Sequence, residues 1–290
     1  AMRGVVIIKA AFDEKDARMA AKKVLITGVY GLIASSVYQR FQAQPGKYEV
    51  YSLARRRRLS ERAPRTRQLQ MPKEQFHLVD LSDLEAVERA MEGVEVVVQL
   101  AADPRPDASW ESLLSSNIVG VRNVFEAAVR AGVKRVVYAS SIMVSWGYQL
   151  DEPYKSLAEG RFAEAAQADI HTVTHEWPVR PTGLYPATKI WGEALARYYA
   201  DVHELSSLCL RIGWVNAEDH PQKPESGAVW CSQRDVVQLI ERAVDAPEEL
   251  RFDIFYGVSN NQWRWVDIDH AREVLGYIPQ DSAEEKLKKQ

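Results

Sequence analysis

Short apolar segments alternate with amphipathic helical patterns along most of this chain. Val24, Leu25 and Ile26 form the first segment, and the later ones are similarly short. Segments that are apolar on both faces are typical of buried parallel strands, and a period near 3.6 between them indicates helices. This alternation predicts a parallel sheet covered by helices on both faces. The predicted strands are 24–26, 49–54, 76–79, 94–99, 134–139, 207–212 and 252–256.

The first apolar segment leads directly into a glycine turn and then a helical pattern. Gly28 makes the tight turn, Gly31 lets the backbone approach a ligand without a Cβ in the way, and Ala34 stands in the place of a third glycine. Strand, turn and helix in this order place backbone N–H groups against a pyrophosphate. An ordinary strand-to-helix turn is the alternative, but the context favours nucleotide binding. The expected contacts are Gly28, Tyr30, Gly31, Leu32 and Ile33.

These patterns predict the α/β class, with a Rossmann-type doubly wound parallel sheet and a small C-terminal substrate-binding lobe. Residues 22–290 are expected to form a single domain, whose lobe comes mainly from 141–181 and 214–290. Residues 1–21 precede the first strand as an N-terminal extension, to which the sequence assigns no chemistry.

The end of the second predicted strand bears on the choice of cofactor. A site for NAD places a carboxylate there to bind the ribose 2′-hydroxyl, whereas this chain has Ala54 followed by Arg55, Arg56, Arg57 and Arg58. An arginine can instead pair with the 2′-phosphate of NADP. A solvated basic loop or a nucleic-acid patch is the alternative. The position of Arg55 and Arg56 directly after the strand favours NADP over NAD, and we expect Arg57 and Arg58 to point to solvent.

Residues that follow two further strands are expected at the same ligand-binding edge. Asp80 and Leu81 come after the third strand, where the carboxylate can accept a proton of the adenine amino group or, as an equal alternative, cap the next helix. Leu100, Ala101 and Ala102 follow the fourth strand, and the small alanines let the chain pass close to a ribose. We expect all five residues to contact the cofactor.

Tyr185 and Lys189 are four residues apart at the start of a predicted helix, so the phenol and the ammonium project from one face. Ser141 follows the fifth strand, at the edge where open α/β sheets bind ligands. Asn117 lies within a predicted helix over 112–131, although asparagine is a weak helix former. A surface pair on a helix is the alternative for the tyrosine and the lysine. The order of the other elements favours a Ser-Tyr-Lys site for hydride transfer, with proton exchange at the phenol.

Composition narrows the remaining classes of protein. The chain has 290 residues, 46% of them hydrophobic, and a formal net charge of −3, which gives no general affinity for nucleic acid or acidic membranes. No apolar run approaches the roughly 20 residues of a membrane span, and no signal peptide is expected. Cys209 and Cys231 lie in apolar surroundings, which predicts a reducing, cytoplasmic setting. His171 and His175 are four apart, but no third ligand is evident, so no metal site is predicted.

Several motifs together resemble those of extended short-chain dehydrogenases/reductases, the NAD-dependent epimerase/dehydratase superfamily. The motifs are TGVYGLIA at 27–34, DL at 80–81, LAA at 100–102, YASS at 138–141 and YPATK at 185–189. Within the superfamily, the chain is most similar to the uronate dehydrogenases, through RPTGLYPATKIWGEALARYY at 180–199 and LGYIPQDSAEE at 275–285.

The resemblance implies that Tyr185 is the acid/base, Lys189 its activator, Ser141 the partner of the substrate oxygen and Asn117 the support of a proton relay. These roles predict an NADP-preferring oxidoreductase that acts on a small sugar-like or other secondary alcohol, lactol or ketone. A sugar-nucleotide epimerase or dehydratase with retained cofactor is one alternative. A non-catalytic NADP-binding sensor is another, which the intact Ser-Tyr-Lys set disfavours.

The residues expected to contact the substrate depart from the uronate dehydrogenase pattern. Members of that group hold Asn-His where this chain has Ile142 and Met143, and a serine where it has Trp214. They also use NAD and hold an aspartate in the place of Arg55. We expect the substrate to contact Asp103, Ile142, Met143 and Trp214, in a pocket more apolar than a uronate site.

The resemblance also implies a homodimer joined by a four-helix bundle. The predicted helices over 112–131 and 185–203 carry more apolar surface than one face of a sheet can cover. Trp191 and Tyr199 are the residues expected to contribute the apolar surface that the sheet leaves uncovered.

Overall fold

The computed structural model describes residues 20–105, 107–168 and 170–288, so the predicted extension over 1–21 lies almost wholly outside the described residues. Within these residues, seven parallel strands form one sheet. They are β1 (Lys22–Thr27), β2 (Tyr48–Ala54), β3 (Phe76–Leu78), β4 (Val96–Gln99), β5 (Arg135–Ser141), β6 (Ser206–Ile212) and β7 (Phe252–Gly257). Their spatial order is β3-β2-β1-β4-β5-β6-β7. The order reverses between β1 and β4, and doubly wound sheets bind ligands at such a switch point.

Helices cover both faces of this sheet. They are α1 (Leu32–Gln42), α2 (Leu84–Arg89), α3 (Trp110–Leu113), α4 (Gly120–Arg130), α5 (Tyr154–Ala158), α6 (Phe162–Ala165), α7 (Leu184–His203), α8 (Pro224–Gly227), α9 (Gln233–Val244), α10 (Asp269–Leu275) and α11 (Ala283–Lys288). α1 and α9 share one hydrophobic cluster with the sheet, and α4 and α7 share another. The predicted Rossmann-type doubly wound sheet is therefore confirmed.

A third hydrophobic cluster lies outside the two faces of the sheet. It includes Ile142, Tyr154, Leu157, Val229 and Trp265, which are all buried. These residues come from both segments that were expected to form the lobe, and they pack together because neither segment could bury its aromatic side chains alone.

The seven observed strands begin and end within two residues of the predicted bounds. The helix expected over 112–131 differs, because a π-helical turn over Leu114–Val119 separates α3 from α4. The segment after β5 also differs. A 3₁₀ helix runs over Ile142–Leu150, and its first turn is capped by Ser141, whose hydroxyl accepts the N–H of Met143. The short helices α5 and α6 then follow within the 141–181 segment.

The described helices include none that is both long enough and apolar enough to cross a membrane. Cys209 and Cys231 are buried and not disulfide-bonded.

Tyr199, expected on the surface, is 3% exposed, and its ring stacks on Phe125 with the centroids 5.3 Å apart. The prediction for Tyr199 is therefore wrong, because the neighbouring helix α4 covers the ring.

Candidate active site

The glycine turn after β1 brings the ends of β1 and β4 into direct contact. Gly28 has φ +66°, and a Cβ there would lie 2.9 Å from Cα of Ala101, so the turn requires glycine. Thr27 accepts hydrogen bonds through Oγ1 from the N–H groups of Leu100 and Ala101, both at 3.0 Å. Its hydroxyl donates to Oε1 of the buried Gln99 at 2.7 Å. The two predicted nucleotide-binding segments are therefore held side by side at the switch point.

The N-terminus of α1 is open to an anionic ligand. Gly31 precedes the helix, no side chain caps the first turn, and this turn holds no acidic residue. The first N–H groups of a helix have no partner within it and suit a pyrophosphate. Among the other expected contacts, Leu32 is buried in the core, while Tyr30 and Ile33 are half-buried. These residues fit the pyrophosphate of a dinucleotide.

The arginine tract begins directly after β2. Arg55 and Arg56 are exposed there. Arg57 is exposed too, but its guanidinium carbon lies 4.8 Å from the centroid of the Phe76 ring in β3. Tyr30 packs edge-on against the same ring, with centroids 5.9 Å apart. Arg57 is therefore exposed as expected, but it also lies over an aromatic face, to which a planar cation is attracted.

Asp80 holds the turn after β3. Its Oδ1 accepts hydrogen bonds from the N–H of Ser82 at 2.9 Å and from the Ser82 hydroxyl at 2.8 Å. The N–H of Ser82 is the largest cause that lowers the pKa of Asp80, and the charge of Arg55 adds a smaller effect. The cap of α2 is Asp83, so the alternative that Asp80 caps this helix is wrong. Leu81 is buried in the core.

Asn117 is fully buried in the π-helical turn and links two segments of the site. Its Oδ1 accepts the N–H of Asp103 at 2.8 Å, and its Nδ2 donates to the carbonyl of Asp103 and to Oγ1 of Thr188 in α7, both at 3.1 Å. The carboxylate of Asp103 accepts hydrogen bonds from Arg105 and Ser112. Arg105 is the main cause that holds the pKa of Asp103 well below its usual range. Asp103 is therefore an ionised, already partnered side chain.

Ser141, Tyr185 and Lys189 come together at the carboxyl end of β5, and all three are buried. The Ser141 side chain lies close enough to the Tyr185 phenol to lower its pKa. The Lys189 Nζ donates to the carbonyl of Ala139 at 2.7 Å and lies 5.7 Å from the centroid of the Tyr185 ring. The lysine is therefore fixed beside the phenol by the backbone of β5.

The electrostatics of this cluster depend on burial and on nearby charges. Burial raises the pKa of Tyr185, the Ser141 side chain and the charge of Arg62 oppose that rise, and the charge of Asp103 adds to it. Burial lowers the pKa of Lys189 to about 8, and the Glu193 carboxylate opposes that fall. At pH 7 the lysine is therefore still mostly protonated. Arg62 lies in the loop after β2, and the sequence analysis did not connect it with the tyrosine.

A buried ion pair behind the lysine was also missed by the sequence analysis. Glu193, one turn further along α7, accepts hydrogen bonds from Nε and Nη2 of Arg211 in β6, both at 2.9 Å, and from the Ser140 hydroxyl at 2.6 Å. Arg211 also donates to the Tyr256 hydroxyl at 3.0 Å, and this hydroxyl shares a hydrogen bond with Ser145 at 2.6 Å. The signal for Glu193 in the sequence is its spacing of four residues from Lys189, which places both side chains on one face of α7.

The expected substrate residues differ in their surroundings. Met143 is half-buried and Trp214 is 42% exposed, whereas Ile142 is 3% exposed and packs in the third cluster. Trp214 and Lys223 line a cleft of about 350 Å³. Of the apolar replacements, Trp214 therefore offers the most surface to a ligand, while Ile142 is buried in the third cluster.

A doubly wound sheet, an uncapped glycine turn and a buried Tyr-Lys pair at the carboxyl edge define a dinucleotide-dependent enzyme of the short-chain dehydrogenase/reductase type. A family model for the NAD dependent epimerase/dehydratase family matches residues 24–269, and the chain belongs to that family. The resemblance noted in the sequence is thereby confirmed.

Characterised relatives act on several sugars. The chain is 37% identical over 218 residues to the NAD-dependent glucose-6-phosphate dehydrogenase of Haloferax volcanii, which covers 73% of this chain and 78% of the relative. It is 36% identical over 218 residues to an L-arabinose 1-dehydrogenase (NAD(P)(+)) of the same organism. That match covers 71% of this chain and 82% of the relative. The structure of a mutant uronate dehydrogenase from Agrobacterium tumefaciens complexed with NAD matches with a TM-score of 0.74 and 28% identity. That match covers 93% of this chain and 89% of the chain in that structure.

The ion pair between Glu193 and Arg211 yields a prediction for stability. Glu193→Ala should lower the free energy of unfolding by about 3–5 kcal/mol, because it leaves the Arg211 charge buried without a partner. Asp201→Ala, which removes an exposed ion pair with Arg197 on the same helix, should cost less than about 1 kcal/mol. Urea unfolding of both variants measures the difference. Equal losses would contradict the importance assigned to the buried pair.

Proposed function

We propose that this protein is a sugar dehydrogenase that transfers a hydride between a nicotinamide dinucleotide and a small, uncharged sugar-like alcohol, lactol or ketone. The observation that carries this proposal is the buried cluster of Ser141, Tyr185 and Lys189 beside the glycine turn. The names of the similar dehydrogenases support the class of substrate. When bound, the nicotinamide supplies the site that donates or accepts the hydride.

The chain's own contribution to this reaction is control of a proton. A phenol with a pKa near 10 must be favoured as phenolate by about 4 kcal/mol to act as a base at pH 7. The Lys189 ammonium, fixed by the carbonyl of Ala139, supplies a positive charge next to Tyr185. The Ser141 side chain lowers the pKa of the phenol and would hold the substrate oxygen beside it. Tyr185 would then take or return the proton of that oxygen.

Asn117 would support this exchange by holding the π-helical turn against the site. Its side-chain N–H groups are both used, by Asp103 and Thr188. Such turns leave the regular helical hydrogen-bond pattern and are frequent at functional sites. A role in the proton relay would therefore come from the backbone that Asn117 positions.

For the cofactor, we propose that the site accepts both dinucleotides and prefers NADP. NAD appears in the names of similar proteins, and one of those names includes NADP as well. The chain's own residues support NADP, which carries a 2′-phosphate. β2 ends at Ala54 without a carboxylate, and the exposed Arg55 and Arg56 follow it directly. Arg57, which lies over Phe76, adds a third positive charge at this edge.

We also propose a homodimer in a reducing, cytoplasmic compartment. Trp191, Tyr198 and Val202 on α7 are 41%, 48% and 61% exposed, and Trp110 and Val119 near α4 are 50% and 39% exposed. Apolar surface on two packed neighbouring helices is suited to an isologous interface. The buried, unpaired cysteines support the compartment.

The role of Tyr185 predicts the effect of removing a single oxygen atom. Tyr185→Phe should lower kcat by on the order of 10²- to 10⁴-fold, the range for loss of general acid–base catalysis, and should leave cofactor affinity nearly unchanged. Tyr198→Phe, on the exposed face of the same helix, should retain normal activity. NAD(P)H absorbance follows the rates. A Tyr185→Phe variant with normal kcat would exclude the proposed mechanism.

The cofactor proposal predicts a change of preference at the end of β2. Arg55→Asp should lose or reverse the preference for NADP, because one charge-assisted bond contributes roughly 1.5–3 kcal/mol, or about ten- to a hundredfold in affinity. Arg58→Ala should change little. Titration of each dinucleotide, followed by tryptophan fluorescence, gives the two dissociation constants. Equal or tighter binding of NAD by the unmodified protein would overturn the preference.

The apolar replacements predict selectivity among sugars. Neutral aldoses should be turned over better than glucuronate or galacturonate, because a carboxylate without hydrogen-bond partners costs several kcal/mol to desolvate. Trp214→Ser should raise activity on uronates relative to neutral sugars. A panel of neutral sugars, sugar phosphates and uronates with both dinucleotides tests this. Efficient turnover of a uronate by the unmodified protein would contradict the proposed pocket.

The dimer proposal predicts a change of mass in solution. Trp191→Glu combined with Val202→Glu should convert a dimer to a monomer, because the two charges would be buried in the apolar interface. Val274→Glu introduces a charge at a similarly exposed position on α10, 37% exposed, and should stay dimeric. Light scattering at micromolar concentration measures the mass. An unmodified protein that is monomeric there does not form the proposed interface.

A further inference from the structure

Three side chains that the proposed reaction does not use meet at the outer edge of the sheet. Asp253 lies in β7 at the sheet edge, His270 in α10, and His175 in the segment that leads to α7. This segment is tied to the same region by its backbone, since the N–H of Val173 donates to the carbonyl of Trp265 at 2.8 Å. The three residues are therefore brought together by the fold from distant parts of the chain.

The possible ligand atoms of this cluster lie close together, and one of them lacks a hydrogen-bond partner among the described residues. One nitrogen of each imidazole and a carboxylate oxygen of Asp253 lie within 4.8 Å of one another. Nε2 of His270 is 3.0 Å from both oxygens of Asp253. Nδ1 of His175 is buried and has no hydrogen-bond partner within the described ranges. Buried polar atoms normally have a hydrogen-bond partner, so a buried imidazole nitrogen without one is a candidate metal ligand.

The chemistry of the set fits a divalent transition metal. Zn²⁺ binds histidine nitrogen and carboxylate oxygen at about 2.0–2.2 Å, with four ligands in a tetrahedron. Two such ligands are then on the order of 3.3 Å apart, close to the observed separation of His270 and Asp253. Two imidazoles and a carboxylate are a favourable donor set for Zn²⁺ and its neighbours, and less so for Mg²⁺ or Ca²⁺, which prefer oxygen.

The ring geometry shows which residue must move. His175 stacks on His270 with centroids 4.1 Å apart and an angle of 17°, so their in-plane lone pairs run side by side rather than converge. His270 is stacked on its other face against Phe255 and is hydrogen-bonded to Asp253. His175 has no such restraint at Nδ1, so turning its ring toward the other two donors breaks no hydrogen bond at that atom.

We propose that His175, Asp253 and His270 form a binding site for Zn²⁺ or a similar divalent transition metal, with water as the fourth ligand. The metal joins the segment before α7 to β7 and α10. It therefore stabilises the native state without entering the proposed hydride transfer, because a ligand that binds only the folded chain raises its stability.

Binding of Co²⁺ and Zn²⁺ to the full chain after chelator treatment tests this site. Visible absorption of Co²⁺ reports coordination, and the thermal midpoint reports stabilisation. We expect one equivalent of Co²⁺ to bind with a visible band, Zn²⁺ to displace it, and Zn²⁺ to raise the midpoint. His175→Ala should weaken Co²⁺ binding at least about tenfold and abolish the rise. This variant leaves the hydrogen bond between His270 and Asp253 in place, so it should still fold.

His171→Ala is the matched control, because this exposed histidine lies four residues earlier in the same segment and outside the cluster. It should bind Co²⁺ like the unmodified protein. Asp253→Asn should weaken binding as His175→Ala does. Equal Co²⁺ affinity in the His175→Ala and unmodified proteins would place any bound metal elsewhere and overturn the proposal. Absence of stoichiometric binding would show that the cluster is only a hydrogen-bonded pair of His270 and Asp253, with the His175 ring stacked on it.

Discussion

The ion pair between Glu193 and Arg211 is the contact on which the geometry of the site most depends. Both side chains are almost completely buried, where an unpaired charge would be costly. Each therefore has several partners: Glu193 accepts from Arg211 and Ser140, and Arg211 also donates to Tyr256. These bonds connect α7 with β5, β6 and β7. Because the cost of breaking them is high, the orientation of α7 on the sheet is strongly fixed, and Tyr185 with it.

The same pair bears on the proposed role of Lys189, which would act on the phenol although the Glu193 carboxylate lies on the same helix. Glu193 is one helical turn from Lys189, and a free carboxylate at that distance would compete with the phenolate for the ammonium. Arg211 engages both of its oxygens in a bidentate contact instead. Glu193 then raises the pKa of Lys189 only through space, against the larger effect of burial. The lysine keeps its proton near neutral pH, and Nζ hydrogen-bonds the carbonyl of Ala139 beside the phenol.

The sequence predicted the parts of this arrangement that are local along the chain. The apolar period located the seven strands, and a spacing of four residues placed Tyr185 and Lys189 on one face of α7. The pairing of Glu193 with Arg211 could not be predicted in this way, because it depends on how α7 lies across β6. The same holds for His175 with Asp253 and His270. The π-helical turn at Asn117 was missed for a related reason, since it is fixed by contacts with Asp103 and Thr188 rather than by helix propensity.

In the proposed mechanism, selectivity and catalysis use different parts of this structure. Tyr185 and Lys189 are fixed by the sheet and by a helix that the buried pair holds in place, so substitutions in the lobe need not disturb them. Met143 and Trp214 come instead from segments that follow β5 and β6, where a change of side chain alters the pocket at little cost to the core. Under this proposal, one catalytic set held by the sheet would serve different substrates while the lobe changes. That agrees with similar chains being named for a sugar phosphate, a pentose and a uronate.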